Sequence, residues 1–117
     1  KECIQTTELL KKEMGNLGDK IMTTFQSRFG PKAWLKPYTD KTLEKLAENG
    51  TKNIVVMMPG FSADCLETLE EISIEAREVF VEAGGVNFST VPCLNDDKHH
   101  TNFLTNLIKE RLLVGWL

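Results

Sequence analysis

Glu67 carries the clearest candidate chemistry in the sequence. It follows a loop at residues 59–63, which links a predicted strand to a predicted helix that begins at Asp64. Open α/β sheets bind their ligands at this kind of junction, beyond the carboxyl ends of the strands. The positive end of the helix dipole keeps a glutamate ionised there. A carboxylate in this position suits a cation ligand or a proton acceptor.

The same residues also allow a purely structural role. Asp64 and Glu67 have the three-residue spacing of a capping box, in which a glutamate side chain bonds the backbone N–H at the start of its own helix. The pattern does not separate this role from the chemical one, so both stay open at this point.

The helix that carries Glu67 is predicted to span residues 64–83 and to have two unlike faces. At 3.6 residues per turn, its apolar residues fall on one arc that faces the sheet, namely Leu66, Leu69, Ile72, Ala76, Val79, Phe80 and Ala83. Its carboxylates fall on the other arc, namely Glu67, Glu70, Glu71, Glu75, Glu78 and Glu82. For Glu70, Glu75, Glu78 and Glu82 the pattern favours an ordinary solvated face.

Three further side chains are weaker candidates. Cys65 lies at the helix start, where a thiol can become reactive or bind metal, although a small buried side chain is the favoured alternative. His99 and His100 are adjacent in sequence and lack the spacing of a helical metal site, which indicates a solvated loop pair. The glycines form neither a dinucleotide-binding motif nor a Walker loop.

Alternating helices and strands must position these residues. We expect the order α-β-α-β-α-β-α, with a continuous apolar central strand covered on both faces, and hence a three-layer α/β/α sandwich with a parallel sheet. Thr39 is the expected N-cap of the second helix. The predicted helices are residues 2–14, 40–48, 64–83 and 101–114. The predicted strands are residues 20–26, 53–58 and 87–91, and the predicted loops include residues 27–38 and 92–100.

Composition places the chain among ordinary globular domains. The 117 residues are 41% apolar and 26% charged, which excludes intrinsic disorder and rod-like proteins. A net charge of −3 offers no basic surface for nucleic acid. Neither a membrane span nor a signal peptide is recognisable, and three scattered cysteines favour a reducing compartment, so we expect a cytoplasmic location. Because Lys1 is not an initiator methionine, we expect a processed product or a piece of a longer chain.

Four ordered blocks of the sequence resemble the ferrochelatase family, especially its bacterial, proteobacterial-type members. They are F-Q-S-R-F-G-P-K-A-W-L-K-P with Y-T-D at residues 25–40, P-G-F-S-A-D-C-L-E-T-L-E-E-I at residues 59–72, E-A-G-G at residues 82–85 and P-C-L-N at residues 92–95. Members of this family insert ferrous iron into a porphyrin in haem synthesis. The blocks cover nearly the whole chain, which makes the resemblance much more specific than a single short motif.

The resemblance implies a chelatase-like fold of two lobes with the porphyrin between them. Residues 1–117 resemble the C-terminal lobe, and the N-terminal lobe is absent. Glu67 aligns with the family's catalytic glutamate, which would hold ferrous iron or accept a proton opposite a histidine of the N-terminal lobe. Glu71 matches a second acidic position that would relay protons or iron. Trp34, Gly30 and Pro31 match a segment that lines the porphyrin cleft, although Trp34 could instead anchor the loop in the core.

The resemblance also limits several roles. Cys65 replaces a histidine of animal members, so that histidine's role does not carry over. Three unclustered cysteines predict no iron–sulfur cluster in this lobe. Residues 112–116 would pack on the other lobe or, as the weaker alternative, contact a membrane surface. We expect protoporphyrin IX as the substrate and no metal insertion by the chain alone. The alternative is a free-standing α/β module that binds a porphyrin, a metal or a protein.

Overall fold

The computed structural model describes residues 1–26 and 33–115, which form a small α/β structure. In chain order the elements are α1 (Glu2–Glu13), a 3₁₀-helical segment (Gly15–Lys20), α2 (Thr39–Glu48), β1 (Asn53–Val56), a π-helical segment (Glu67–Ala76), α3 (Arg77–Glu82), β2 (Asn87–Thr90), α4 (Lys98–Leu107) and a second π-helical segment (Ile108–Leu112). The first π-helical segment continues directly into α3, and we call residues 67–82 the site helix.

A two-stranded parallel sheet forms the centre of the structure. Asn53 of β1 pairs with Asn87 of β2, and the register continues to Val56 and Thr90. Parallel neighbours need a long connection between them, and here it contains the site helix. The predicted α/β class with a parallel sheet is confirmed.

The buried core lies between one face of this sheet and two helices, α2 and the site helix. Phe80 is fully buried, and its ring packs at 6.0 Å, centroid to centroid, from that of Phe88 on β2. Gly85 lies just after the helix and against the Phe80 ring. A larger residue is excluded at this position because its Cβ would overlap that ring. The other buried apolar residues are Leu43, Ala47, Ile72 and Ala76, and the partly buried ones packed against them are Ile54, Val56, Met58, Ala83 and Phe88.

The site helix buries every fourth residue rather than the predicted 3.6-residue arc. Its buried positions are Thr68, Ile72, Ala76 and Phe80. Leu66 and Leu69 were expected to face the sheet, and this expectation is wrong, because they are 67% and 56% exposed. The reason is the π-helical winding, whose hydrogen bonds span five residues and make a wider turn than an α-helix. The wider turn brings residues four apart onto one side.

The first part of the chain differs from the prediction in one element. Helix α1 is confirmed, but residues 20–26 do not form a strand. Lys20 ends the 3₁₀-helical segment, and only Phe25 makes a bridge, to Tyr38. A strand needs a neighbour for its backbone groups, and this segment makes a strand-like bridge at Phe25 only. Thr39 is the first residue of α2 rather than its cap, and its hydroxyl donates to Thr24 Oγ1 at 2.9 Å.

The last helix begins earlier than expected. The predicted start was residue 101, whereas α4 begins at Lys98. Asp97 caps it, because its carboxylate accepts the backbone N–H groups of His99 and His100 at 2.8 and 3.3 Å. Aspartate is among the preferred N-cap residues. The two histidines therefore lie in the first turn of a helix, and the prediction of a loop pair is wrong.

The other face of the sheet is open. Val55 and Met57 alternate with the core residues of β1 and its extension, and they are 68% and 50% exposed. The expected coverage of the central strand on both faces is therefore wrong for this chain. The helices of the core cluster all pack on the opposite side of the strand. The radius of gyration is 16.8 Å, against about 13 Å for a compact chain of this length.

None of the described helices has the length and apolar character that a bilayer span requires.

Phe80 should be the most sensitive position of the core. We expect Phe80→Ala to lower the free energy of unfolding by about 3–5 kcal/mol, because a fully buried ring leaves a cavity. Urea denaturation of the full-length protein measures this change. Val81→Ala, on the exposed side of the same helix, is the matched control and should change stability by less than about 1 kcal/mol. Equal losses for the two variants would contradict the packing described above.

Candidate functional site

The start of the site helix is held by a two-sided hydrogen-bond clamp between Asp64 and Asn95. The Asp64 backbone N–H donates to Asn95 Oδ1 at 2.8 Å, and Asn95 Nδ2 donates to Asp64 Oδ2 at 2.8 Å. The backbone N–H of Asn95 donates to the carbonyl of Ser62 at 3.0 Å. Asn95 adopts φ = +48°, a left-handed conformation that asparagine tolerates better than most residues. The loop before the site helix is thereby tied to the loop before α4.

Thr68 forms further hydrogen bonds at the start of the helix, on its buried side. Its side chain is fully buried, and its hydroxyl oxygen accepts the Cys65 backbone N–H at 2.9 Å. The same hydroxyl lies 3.0 Å from Asp64 Oδ1, to which it donates. A buried hydroxyl needs such partners, because an unsatisfied one costs free energy. Thr68 and Asn95 thus bond the backbone N–H groups of Cys65 and Asp64, which lead into the site helix.

This arrangement decides against the capping-box alternative for Glu67. The Asp64 backbone N–H, which a capping box would direct to Glu67, is bonded to Asn95 instead. Glu67 is a partly buried residue on the side of the helix. Two hydrogen bonds hold the pKa of Glu67 below its usual range. The larger effect comes from the Cys65 side chain, and the smaller one comes from the backbone N–H of Glu67 itself. Glu67 is therefore an ionised carboxylate that does not act as the Asp64 cap.

Glu71 lies one turn further along and is joined to the Glu67 backbone by Gln26. The Gln26 side-chain amide lies 3.3 Å from Glu71 Oε2 and 3.3 Å from the carbonyl oxygen of Glu67, and it donates to both. Glu71, like Glu67, is partly buried, whereas Glu70 between them is exposed. The structure therefore places Glu67 and Glu71 on one side of the helix, where Gln26 bonds the backbone of one and the side chain of the other.

Trp34 is connected to the same glutamine. Its indole N–H donates to the backbone carbonyl of Gln26 at 2.9 Å, and the side chain is 38% exposed. Trp34 is not part of the buried core, which removes the alternative of a core anchor. Its contact with a porphyrin stays a prediction. Gly30 and Pro31, the other predicted cleft residues, lie outside the described residues.

Two cysteines lie near the helix start. Cys65 and Cys93 are both free thiols and partly buried. Burial and then a hydrogen bond to Asp64 raise the pKa of the Cys93 thiol. Across residues 1–26 and 33–115, no group of three or more histidine, cysteine, aspartate or glutamate side chains is arranged to hold a metal ion.

His100 has a structural role in the described geometry. It is 8% exposed, and its Nδ1 donates to the carbonyl of Asn95 at 2.8 Å. Its Nε2 forms a hydrogen bond with the Ser62 hydroxyl at 3.1 Å. The expected solvated histidine is thus a buried link between α4 and the loop that precedes the site helix.

Relatives of known family match the chain from end to end. The family profile described as Ferrochelatase matches residues 1–112. A ferrochelatase from Bradyrhizobium sp. (strain BTAi1) is 58% identical over 116 residues, and those of Allorhizobium ampelinum and Brucella ovis are 54% and 51% identical over the same length. The chain belongs to the ferrochelatase family. The resemblance to proteobacterial-type ferrochelatases is confirmed, because these relatives are alphaproteobacterial.

The match covers 99% of this chain but 33% of each of those three relatives. The chain therefore spans about a third of the length of the curated ferrochelatases that it matches. Any site formed with the remaining two thirds of a ferrochelatase is only partly represented in this chain.

Gln26 and Asn95 are the site residues that the sequence reasoning missed. Gln26 contacts residues 41 and 45 positions away, and Asn95 contacts one 31 positions away. No local pattern marks such contacts. The available signal was membership in the family blocks, since Gln26 lies in the first block and Asn95 in P-C-L-N, and neither block indicates a partner.

Loss of the Asn95 side chain should weaken the start of the site helix. We expect Asn95→Ala to lower the urea midpoint of unfolding of the full-length protein, because the amide and carboxylate of Asp64 lose their partner. Asn102→Ala, at an exposed position of α4, is the control and should leave the midpoint unchanged. A normal midpoint for Asn95→Ala would contradict the clamp.

The same variant should show a pH-dependent effect. The hydrogen bond from Asn95 is the largest cause that lowers the pKa of Asp64. This bond to the ionised carboxylate therefore stabilises the folded protein fully above the usual aspartate pKa, and the stabilisation is lost as the pH falls through the lowered pKa. The difference in stability between wild type and Asn95→Ala should therefore narrow below about pH 4. Unfolding curves at several pH values measure this; a constant difference would contradict the role of Asp64.

Proposed function

We propose that the full-length protein is a ferrochelatase that inserts ferrous iron into a porphyrin in haem biosynthesis, and that this chain is its C-terminal lobe. The observation that carries the proposal is the family match across residues 1–112, which includes the site helix with Glu67 and Glu71 on one side. Protoporphyrin IX is the proposed substrate, and ferrous iron is the substrate metal.

The proposed chemistry rests on the two carboxylates. A porphyrin must lose two pyrrole N–H protons as the metal enters the ring. An ionised carboxylate that faces the ring accepts a proton and holds the incoming cation weakly enough to release it. Glu67, whose pKa is lowered, is the proposed iron ligand and proton acceptor. Glu71 is the proposed relay for protons or iron along the same side of the helix.

The rest of the site is proposed to come from the cleft wall and from the other lobe. Trp34, with its exposed ring, would contact the macrocycle together with Gly30 and Pro31. A histidine of the N-terminal lobe would face Glu67 across the porphyrin. The chain alone would then supply only one wall of the site and would not catalyse metal insertion.

The apolar side of α4 is proposed to pack on the N-terminal lobe. Phe103, Leu104 and Leu107 are 60%, 38% and 40% exposed, and Ile108 and Leu112 continue the exposed surface. Apolar residues at this helical spacing form an interface stripe. We propose a cytoplasmic protein, with contact of this segment to a membrane surface as the weaker alternative.

Glu67→Gln tests the proposed chemistry directly. In the full-length enzyme supplied with ferrous iron and protoporphyrin IX, we expect turnover to fall by about 100-fold or more, because the variant loses its proton acceptor. Glu70→Gln, on the exposed side of the same helix, is the matched control and should retain near-normal turnover. Near-normal turnover of Glu67→Gln would remove Glu67 from the chemistry.

Glu71→Gln tests the relay through its pH–rate profile. We expect a lower rate and an acid limb shifted to lower pH by a few tenths of a unit, roughly, because removing a like charge one turn away favours ionisation of Glu67. The profile of kcat between about pH 3 and pH 7, a range that includes the lowered pKa of Glu67, would be compared with that of the wild type. An unchanged rate and an unchanged profile together would rule out the relay.

A further inference from the structure

Gln26 links three of the residues predicted to form the site. Its side-chain amide lies 3.3 Å from both Glu71 Oε2 and the Glu67 carbonyl oxygen, and its own carbonyl accepts the Trp34 indole N–H at 2.9 Å. These contacts join the loop before α2 to the site helix.

The Gln26 backbone is held through the residue that precedes it. The preceding residue, Phe25, donates its N–H to the carbonyl of Pro37 at 2.9 Å, and its carbonyl accepts the Thr39 N–H at 3.0 Å. Thr39 in turn begins α2, which packs on the site helix in the same core. The Gln26 side-chain amide therefore reaches the Glu71 carboxylate and the Glu67 backbone carbonyl from a segment that is itself anchored, and the Gln26 side chain is partly buried.

A side-chain amide is suited to the task of orienting a carboxylate. It donates hydrogen bonds without carrying a charge, so it directs one carboxylate oxygen while the group stays ionised. Glutamate has several freely rotating bonds, and fixing one oxygen removes much of the freedom of the other. The second oxygen of Glu71 is then held in one direction relative to Glu67.

We propose that Gln26 is a positioning residue that orients the Glu71 carboxylate beside Glu67 for the transfer of iron or protons. This inference rests on the proposed function and adds to it a residue of the first family block. Gln26 acts through Glu71 and not on the porphyrin itself.

Gln26→Met in the full-length enzyme tests this role, because methionine keeps the length of the side chain and removes the donor. We expect the KM for ferrous iron to rise about tenfold, while the KM for protoporphyrin IX changes less than twofold. A smaller folded fraction would lower kcat without changing either KM, so this split separates positioning from damage to the fold. Gln5→Met, at an exposed position of α1, is the matched control and should leave both KM values unchanged.

A double-mutant cycle with Glu71→Ala tests the route of the effect. If Gln26 acts through Glu71, Gln26→Met should change the kcat/KM for iron less than twofold in the Glu71→Ala background. A tenfold loss in both backgrounds would overturn the proposal.

The outcomes for this proposal and for the proposed function are distinguishable. An active wild type and a Gln26→Met variant with the wild-type KM for iron would overturn the positioning role and leave the proposed function intact. A full-length wild type that inserts no ferrous iron would overturn both. The predicted split of the KM values together with the predicted cycle would support the positioning role.

Discussion

The structure depends on how the site helix buries its core side. Thr68, Ile72, Ala76 and Phe80 follow one another at intervals of four and pack under the sheet. Four residues advance slightly more than one turn of an α-helix, so such a stripe would drift around a regular helix. The wider π-helical turn over residues 67–76 keeps it on one side. Glu67 and Glu71 lie beside this stripe, partly buried and one turn apart, because burial of the stripe sets the rotation of the whole helix.

The second constraint is the satisfaction of backbone groups where this helix begins. A helix leaves its first N–H groups without partners inside the helix. Here the Asp64 amide bonds Asn95 and the Cys65 amide bonds Thr68, so the partners come from a distant loop and from the buried stripe. The Glu67 carboxylate is consequently not used as the Asp64 cap. A requirement of folding is thus met by Asn95 and Thr68 rather than by the Glu67 carboxylate.

The sequence predicted the α/β class, the parallel sheet and the approximate limits of most elements correctly. The periodicity of apolar residues and the turn residues between segments carry that information locally. It was wrong about residues 20–26, which contain β-branched residues but find no strand to pair with. It was also wrong about Leu66 and Leu69, because a 3.6-residue period does not apply to a π-helical segment. His100 was misplaced because its partners, Ser62 and the Asn95 carbonyl, are brought to it by the folded loops.

By itself, the sequence determined the membership of the chain in a family and the two carboxylates to consider, since both depend on residue types in a fixed order. The tertiary structure alone decided that Glu67 is not the Asp64 cap and that Trp34 is outside the core. It also joined Gln26 to both carboxylate positions across more than forty residues of chain. These decisions are geometric: a hydrogen bond requires two atoms within about 3.5 Å, and that proximity comes from the packing of the helices on the sheet rather than from neighbouring residues.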